Sequence, residues 1–446
     1  MTSLRAALPG IAFGILAIAS LAATPARAEA MILVDADSGK VLRAENATYP
    51  WYPASTTKLM TLYMTLSAVR DQRTTFDTLF KVSPNANSQA PTKMGFPVGI
   101  QVTVDNALKM MMVKSANDMA VLLAEGISGS VDAFAEEMTD TAHKLGMTES
   151  NFVNPNGLPA DGQITSARDL AILARALIRE FPQYSSYWHI PAIQWGKRVV
   201  RNYNPLLGRY PGADGMKTGF ICASGFNLVA TATRDNKHLI AVVLGAPSGA
   251  VRAIKAAELL ERGFSRNPLA WLTPSLGTVD ALTPMDATPP NLKDEMCGKH
   301  RKRPHAEDED VDADAGGQTT ADMNQTRSLL LSALQAPTNP VLLSDLGPVL
   351  PIRVYTGPTR TPAQLATTPA EDDATAEPGK KKRPKQKTTA ARSSDDQNSA
   401  EAQAEAKPKK AKTTAVKPTD VKPVDAKPAA AAAAPKKPAK PKPPAQ

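Results

Sequence analysis

The order of the periodic segments between residues 29 and 267 limits the fold of this chain more than any other feature. Extended apolar runs lie at both ends of this block, as "AMILVDADSGKVLRAE" near its start and "GMKTGFICASGFNLVATATRDNKHLIAVVLGAP" near its end. Helical patterns such as "STTKLMTLYMTLSAV" and "TSARDLAILARALIREF" fill the middle, and "GAVRAIKAAELLERGF" closes the block. This order predicts an α+β fold in which the terminal strands meet in one antiparallel sheet.

Local signals indicate where several of these elements begin and end. The turn residues "DSG" at positions 37–39 predict a hairpin, and the final apolar run is expected to form two strands joined near residues 235–236. The helical stretch around Ser115 is expected to break there into two helices. Either Thr165 or Ser166 is expected to cap the helix that follows it.

The first 28 residues have the pattern of a secretory signal peptide. One early charge, Arg5, precedes an apolar run, and the small-residue motif Ala26-Arg27-Ala28 follows that run. This order predicts cleavage after Ala28 and export of the mature protein to the periplasm. The alternative is an uncleaved membrane anchor, for which the apolar run is short.

Composition divides the remainder of the 446-residue chain into three zones. Residues 29–267 form a dense block that we expect to be the catalytic domain. Residues 268–357 mix short apolar pieces with the charged run "RKRPHAEDEDVDADAGG", which predicts an irregular, solvated segment of unknown role. Residues 358–446 are rich in Lys, Pro, Ala and Thr, and such a tail is expected to be disordered because it buries too little apolar surface to offset the entropy of ordering.

The formal net charge of +9 comes from the tail. Residues 380–446 hold 18 Lys and Arg against 6 Asp and Glu, a charge of +12, which leaves −3 for the rest of the chain. Nucleic-acid binding by the body of the protein is therefore poorly supported. For the tail we expect salt-sensitive contact with anionic wall polymers or with the surface of the inner membrane, unless it is only a spacer.

Cys222 and Cys297 are the only cysteines of the chain. Two thiols in an exported protein can pair as a disulfide. The alternative is that both stay unpaired, with Cys222 buried and Cys297 exposed. The sequence leaves both interpretations open.

The stretch "YPASTTKLMT" places Ser55 and Lys58 at the start of an apolar helix. Residues three positions apart share one helix face, so the two side chains are expected to touch. A serine needs a base within hydrogen-bond reach to act as a nucleophile, and a lysine can be that base when burial disfavours its charged form. The alternative is that Lys58 extends to solvent and Ser55 only caps the helix.

Two later motifs favour the catalytic interpretation. "KSANDM" places Ser-Ala-Asn at residues 115–117, and "DGMKTGF" places Lys-Thr-Gly at residues 217–219. The Ser-x-Asn pattern is weak by itself, since Ser83 and Ser265 also begin one, and Lys-Thr-Gly could be a plain turn at a strand edge. The three motifs in this order resemble the set that penicillin-binding proteins and class A β-lactamases carry, in which the middle motif is Ser-Asp-Asn.

The chain resembles the serine-type D-Ala-D-Ala carboxypeptidases, the low-molecular-mass penicillin-binding proteins. The likeness runs over about residues 29–264, through "AMILVDADSGKVLRAENA", "YPASTTKLMT", "KSANDMAVLLAE", "HKLGMTESNFVNPNGLP", "TSARDLAILARALI" and "DGMKTGFICASGFNLVATATRD". It implies the penicillin-recognising serine hydrolase fold, an antiparallel sheet flanked by helices with a mostly helical lobe. It also implies removal of the terminal D-alanine from peptidoglycan stem peptides, with β-lactam antibiotics as inhibitors.

The resemblance implies a role for each motif residue. Ser55 would attack the carbonyl of the penultimate D-alanine and form an acyl-enzyme, Lys58 would take its proton, and Ser115 would pass a proton to the leaving D-alanine. Asn117 would hold the backbone of the substrate, and Lys217 and Thr218 would bind its terminal carboxylate. Gly219 would leave room for the substrate beside the strand. The backbone amides of Ser55 and Phe220 would form the oxyanion hole. Arg252 either adds positive charge near the carboxylate or is a charge on an exposed helix surface.

The chain departs from the pattern of this family after residue 264. Many members carry a β-rich second domain and an amphipathic C-terminal helix that holds them on the membrane. No β-rich stretch of sufficient length follows here, and the last residues form no apolar face. Anchoring by such a helix is therefore not expected.

Other activities remain as alternatives within the same fold. They are β-lactamase, D,D-endopeptidase and a penicillin-binding sensor with a vestigial site. A β-lactamase commonly uses a glutamate that holds the deacylating water, and no Glu can be placed in that role. The five histidines are scattered and form no His-Glu-x-x-His motif. The sequence also contains no Gly-x-Ser-x-Gly elbow and no phosphate loop. We therefore expect no metal and no cofactor.

Overall fold

The computed structural model describes residues 29–265, 274–299, 343, 347 and 349–368. The predicted signal peptide and residues 369–446 of the predicted tail lie outside this part of the chain. Within it, strands at the two ends of the main block enclose a series of helices, as the sequence predicts.

The strands and helices have the following bounds. The strands are β1 (Ala30–Asp35), β2 (Val41–Glu45), β3 (Leu79–Lys81), β4 (Gln101–Thr103), β5 (Ala192–Trp195), β6 (Arg198–Arg201), β7 (Ala213–Ile221), β8 (Gly225–Arg234), β9 (Lys237–Ala246) and β10 (Ile352–Val354). The helices are α1 (Lys58–Arg70), α2 (Pro84–Ser88), α3 (Val104–Val113), α4 (Asn117–Ser128), α5 (Val131–Lys144), α6 (Ala167–Glu180), α7 (Ser186–His189), α8 (Gly249–Phe264), α9 (Lys293–Cys297) and α10 (Pro362–Thr367).

The central sheet is antiparallel, with the strand order β2-β1-β9-β8-β7. The first and last strands of the main block meet in it as predicted, with Ala30 of β1 opposite Leu244 of β9. Successive side chains of a strand point to opposite faces, so Val242 packs in the core shared with α6 while Val243 packs in the core shared with α8. The predicted hairpins at residues 37–39 and 235–236 are both confirmed.

One strand prediction is wrong. The run before residues 235–236 forms two strands, β7 and β8, rather than one. The chain reverses between them because Ser224 N donates to Ile221 O at 3.0 Å and Gly225 takes a φ of +68°. Glycine adopts this left-handed backbone without a Cβ clash.

The helical lobe is built around α1. Its residues from Lys58 to Ala68 are all buried, which is typical of a central helix surrounded on every side. The predicted break at Ser115 separates α3 from α4. Of the two candidate caps of α6, Ser166 is the one used, since its side chain accepts a hydrogen bond from Asp169 N.

Two later segments pack onto this body. Residues 277–280 run beside the β1–β2 hairpin, where Val279 N donates to Gly39 O at 2.9 Å and the buried Val279 joins the core. β10 pairs in parallel with β5, which gives a second sheet of order β10-β5-β6. α10 lies in a zone for which the sequence predicts disorder; Thr361 caps it, and Arg353 Nη1 donates to Leu365 O at its C-terminal end.

No helix in the described ranges is long and apolar enough to cross a membrane.

Candidate active site

Ser55 lies in the 3-10 turn Ala54–Thr57 that leads into α1. Ala54 has a φ of +49°, a backbone conformation that is uncommon for a residue with a Cβ. The turn is tied to the sheet from β8, where Asn227 Nδ2 donates to the carbonyl of Tyr52 at 2.9 Å and to that of Pro53 at 3.1 Å. The candidate nucleophile is therefore held between the helical lobe and the sheet.

Lys58, the first residue of α1, is fully buried. Its Nζ lies 2.9 Å from Ser55 Oγ, 2.7 Å from Asn117 Oδ1 and 2.7 Å from Asn156 O. The amine touches the serine hydroxyl as the three-residue spacing predicts. The interpretation in which Lys58 extends to solvent is wrong, because these oxygens hold the amine inside the protein.

The turn between α3 and α4 carries Ser115 and Asn117. Ser115 has a φ of +60° and is 1% exposed, and its Oγ has no hydrogen-bond partner among the described residues. Buried hydroxyls almost always have a partner, so this one is suited to a group that enters the site. Asn117 accepts from Lys58 through Oδ1 and donates to Ala90 O at 2.9 Å through Nδ2, which leaves one amide hydrogen for a substrate carbonyl.

Asp118 fixes the loop that faces this turn. Its carboxylate accepts from Met94 N at 3.0 Å and from Gly95 N at 2.8 Å. Burial raises the pKa of the Asp118 carboxyl above its ordinary value of 3.8, and the backbone amides oppose that rise. The backbone N–H of Asn117 donates to Thr92 O in the same loop at 2.8 Å, so the loop helps to set the position of the Asn117 side chain.

β7 brings the third motif next to Ser55. Lys217 and Thr218 are buried, and Lys217 Nζ donates to Thr218 O at 3.1 Å. Thr218 Oγ1 is a second buried hydroxyl for which the described residues supply no hydrogen-bond partner. A Cβ on Gly219 would lie 2.8 Å from Ser55 N and 3.1 Å from Pro53 O, so only glycine allows the strand to approach the turn this closely.

Phe220 follows Gly219 on the same strand, and its ring stacks on Phe226 with the centroids 4.2 Å apart. Arg252 is 3% exposed, so the interpretation of this residue as a charge on an exposed helix surface is wrong. Its guanidinium donates to Asn227 O at 3.2 Å and to Tyr203 O at 3.4 Å. A contact of Arg252 with a substrate carboxylate remains a prediction.

Direct contacts thus join Ser55, Lys58, Asn117 and Gly219, while Ser115, Lys217, Thr218 and Phe220 lie one or two residues away along the same elements. A hydroxyl beside a buried amine is an arrangement for acyl transfer through a serine. In the described ranges no group of three or more His, Cys, Asp or Glu side chains could hold a metal ion.

Comparison with known families decides between the folds that could carry such a site. The family model described as D-alanyl-D-alanine carboxypeptidase, Peptidase S11, matches residues 18–248, which is more than half of the 446-residue chain. The chain belongs to the D-alanyl-D-alanine carboxypeptidase family. The family predicted from the sequence motifs is therefore confirmed.

Individual relatives agree with this assignment. The chain is 36% identical over 243 residues to D-alanyl-D-alanine carboxypeptidase DacA of Haemophilus influenzae, and 37% identical over 244 residues to DacC of Escherichia coli. Each match covers 53% of this chain but only 62% and 61% of the two relatives, so the chain spans about three fifths of their length. The crystal structure of penicillin-binding protein 5 from Haemophilus influenzae matches with a TM-score of 0.52 and 35% identity, over 53% of this chain and 71% of that one, which confirms the predicted fold.

Family membership does not reveal two asparagines that the motif analysis missed. Asn156 supplies the carbonyl that holds Lys58, and Asn227 holds the turn that carries Ser55. Asn156 lies in "NPNGLP", whose Asn, Pro and Gly residues indicate only a turn. Asn227 interrupts the apolar run of β8, where it is buried. A polar residue in such a run needs hydrogen-bond partners, and this was the one sequence signal that could have indicated its structural role.

The glycine after Asn156 belongs to the same arrangement. Gly157 has a φ of +82°, and a Cβ there would lie 1.8 Å from Ala54 O. The turn that contains Asn156 is thus in direct backbone contact with the turn before α1. This contact explains how Asn156 O reaches Lys58 Nζ.

A disulfide joins the end of β7 to α9. Cys222 and Cys297 are bonded, with their Cα atoms 5.7 Å apart, so the interpretation in which both thiols stay free is wrong. Leu292 N also donates to Ala223 O at 2.9 Å. The segment of residues 292–297 is therefore fixed to the chain two residues beyond Phe220.

Proposed function

We propose that the protein is an exported serine-type D-Ala-D-Ala carboxypeptidase that removes the terminal D-alanine from peptidoglycan stem peptides. The observation that carries this proposal is the 2.9 Å contact between Lys58 Nζ and Ser55 Oγ. The names of the relatives DacA and DacC support the substrate class. β-Lactam antibiotics, which resemble the D-Ala-D-Ala end, are the expected inhibitors.

The first half of the reaction forms an acyl-enzyme. Ser55 Oγ attacks the carbonyl carbon of the penultimate D-alanine as its proton passes to Lys58 Nζ. The amides of Ser55 and Phe220 stabilise the oxyanion, and such a donor is worth about 3–4 kcal/mol in other hydrolases. The proximity of Gly219 to Ser55 N supports this pairing of amides, because Phe220 is the next residue of β7.

The amide bond then breaks, and the leaving D-alanine takes a proton. Ser115 is the group that relays it, since its buried Oγ has no other hydrogen-bond partner among the described residues. Lys217 and Thr218 bind the carboxylate of the leaving residue, and Asn117 holds the substrate backbone. Water hydrolyses the ester on Ser55 and restores the free enzyme.

Two assays on purified protein test this proposal. The wild type is expected to release D-alanine from a peptide ending in D-Ala-D-Ala and to form a covalent adduct with fluorescent penicillin on Ser55. Ser55→Ala is expected to abolish both signals, while Ser186→Ala, which changes an exposed serine at the start of α7, keeps both. Labelling that persists in Ser55→Ala would contradict the assignment of the nucleophile.

The same assays separate the alternative activities. Stable penicillin labelling without release of D-alanine identifies a sensor. Rapid release of hydrolysed penicillin identifies a β-lactamase. Cleavage of crosslinked but not of linear peptides identifies an endopeptidase.

Export follows from the predicted signal at residues 1–28. The described residues begin next to it, and Glu29 is already part of the fold, because its carbonyl accepts from Asn46 Nδ2 at 2.8 Å and its carboxylate pairs with Lys255. Cleavage after Ala28 would leave these contacts intact. Sequencing of the mature N-terminus in a periplasmic fraction should give Glu29, and a mature chain that starts at Met1 would contradict export by cleavage.

Residues 380–446 of the tail, which carry a charge of +12, are assigned to contact with anionic wall polymers or with the membrane surface. Such contact weakens with salt because exposed charges are screened. Deletion of residues 380–446 is expected to shift the protein to the soluble envelope fraction at low salt. An unchanged distribution would leave the tail as a spacer.

A further inference from the structure

The three oxygens around the amine of Lys58 differ in the hydrogen bonds that they can make. Asn117 Oδ1 and Asn156 O, each 2.7 Å from Nζ, are amide oxygens and can only accept. The hydroxyl of Ser55, 2.9 Å away, is the one among the three that carries a proton. A neutral amine has two N–H groups and one lone pair. The two amide oxygens can take both N–H groups, which turns the lone pair toward Ser55.

The side chain of Asn156 ties this carbonyl to α2. Asn156 is 2% exposed, and its Oδ1 accepts from Leu158 N at 3.0 Å. Its Nδ2 donates to Gln89 Oε1 at 2.9 Å. Gln89 is half-buried, and its Nε2 donates in turn to two oxygens of Asn85 in α2, to the carbonyl at 3.2 Å and to Oδ1 at 3.1 Å. Gln89 therefore bridges Asn156 and α2.

The residue after Gln89 holds the other amide oxygen. Ala90 O accepts from Asn117 Nδ2 at 2.9 Å, which leaves Asn117 Oδ1 directed at the amine of Lys58. Two neighbouring residues thus set both amide oxygens that this amine contacts. One acts through its side chain and the other through its carbonyl.

The turn that contains Asn156 is also held by α1, through the preceding residue. Thr61 is fully buried one helical turn after Lys58, and its Oγ1 donates to Pro155 O at 2.6 Å. This contact fixes the peptide before Asn156, whereas the contact with Gln89 fixes Asn156 itself. The orientation of the Asn156 carbonyl therefore depends on Gln89 as well as on α1.

We propose that Gln89 is a positioning residue for acylation, which orients the amine of Lys58 toward Ser55 by holding Asn156. This proposal rests on the proposed function and extends it to a residue outside the three motifs. Gln89 acts through Asn156 and not on the substrate. A change at Gln89 should therefore slow the proton transfer from Ser55 without changing the affinity for the ligand.

Stopped-flow labelling with fluorescent penicillin separates these two effects. It gives the dissociation constant of the first complex and the rate constant of acylation. Gln89→Met keeps an unbranched side chain but removes the acceptor for Asn156 Nδ2. We expect the rate constant to fall about tenfold, because the base is no longer aligned, while the dissociation constant stays at the wild-type value.

The matched control is Asn85→Ala. It removes one of the two oxygens that hold Gln89 but keeps the Asn85 carbonyl and the contact between Gln89 and Asn156. Asn85 is exposed, so the substitution should leave both constants unchanged. A general disturbance of the loop would slow this variant as well.

A double-mutant cycle tests whether Gln89 acts through Asn156. Asn156→Ala removes the side chain but keeps the carbonyl, and it should slow acylation as Gln89→Met does. The two changes together should slow acylation no more than the slower single variant, because both break the same contact. Effects that multiply would show that Gln89 acts by another route.

Gln89→Glu tests the same contact if Gln89→Met does not fold. It keeps an oxygen for Asn156 Nδ2 and adds a negative charge that favours the protonated form of Lys58. The acid limb of the pH profile of acylation should move to higher pH, while the plateau at high pH stays near that of the wild type. An unchanged acid limb would contradict the proposal.

Two further results overturn the proposal. One is a Gln89→Met enzyme that acylates at the wild-type rate, and the other is a variant in which only the dissociation constant rises. In either case labelling of wild-type Ser55 and release of D-alanine show that the carboxypeptidase assignment stands. A wild type that is not labelled and releases no D-alanine overturns the proposed function and this extension together.

Discussion

Lys58 Nζ and Asn117 Oδ1 lie 2.7 Å apart although 59 positions separate the two residues in the chain. The contact joins the start of α1 to the start of α4 inside the helical lobe. Through it, the amine beside Ser55 is oriented by the second motif as well as by its own helix. The two motifs therefore act as one unit.

Asn117→Asp tests this coupling. A carboxylate at this position would favour the charged amine, so Lys58 could no longer take the proton of Ser55. We expect the rate of acylation by penicillin to fall by about 100-fold or more, the contribution of a general base. Stopped-flow labelling measures it. Asn151→Asp, which changes an exposed asparagine, is the control, and equal rates in the two variants would argue against the coupling.

Gly219→Ala tests the approach of β7 to the turn. The added methyl would lie 2.8 Å from Ser55 N and 3.1 Å from Pro53 O, and both are backbone atoms that cannot swing away. Displacement of the oxyanion amides is expected to lower acylation by about 100-fold. Gly249→Ala is the control, because a methyl there would find its nearest neighbour at 3.7 Å. A Gly219→Ala enzyme of normal rate would show that the strand tolerates a wider gap.

Cys222→Ser combined with Cys297→Ser tests the crosslink after β7. The bond closes a segment of 75 residues. Loop-closure entropy predicts a loss of about 4 kcal/mol in the free energy of unfolding. Denaturant titration of the variant, alongside wild type with and without a dithiol reductant, measures the loss. A variant as stable as oxidised wild type would mean that α9 is held by packing alone.

His189 gives a prediction for pH. Burial lowers the pKa of His189 below its ordinary value of 6.5, and nearby His238 adds to this while Asp214 opposes it. The unfolded chain therefore binds a proton more readily than the folded one, so stability falls as pH drops below 6.5. His189→Gln should reduce the decrease in melting temperature between about pH 7 and about pH 5. His143→Gln, at an exposed position of α5, should leave that decrease unchanged, and equal slopes in the two variants would contradict the argument.

Two truncations test the contribution of β10. A chain that ends at residue 348 loses Val354, which is fully buried against β5, and Tyr355, whose amide donates to Asn106 Oδ1 at 3.1 Å. We expect a loss of about 2–4 kcal/mol in the free energy of unfolding. A chain that ends at residue 368 keeps these contacts and should unfold like the full chain. Equal melting curves for both truncations would show that β10 adds no stability.

Local patterns predicted much of the fold. The hairpins at residues 37–39 and 235–236, the break at Ser115 and the start of α1 all depend on a few neighbouring residues. The division of β7 from β8 was missed because Ser224 and Gly225 lie inside a run whose composition fits a continuous strand. The burial of Arg252 was missed because a lone arginine on a helix gives no signal of the carbonyls it meets.

The sequence by itself determined the hairpins at residues 37–39 and 235–236, the family and the three motifs, because turn and helix signals and motif spacings act over a few residues. Only the tertiary structure decided which distant groups touch. Asn156 O contacts Lys58 across 98 positions of the chain, and Asn227 contacts Pro53 across 174. The disulfide between Cys222 and Cys297 spans 75 positions. Contacts over such separations depend on the packing of whole elements. No local preference of the backbone or of a side chain encodes them.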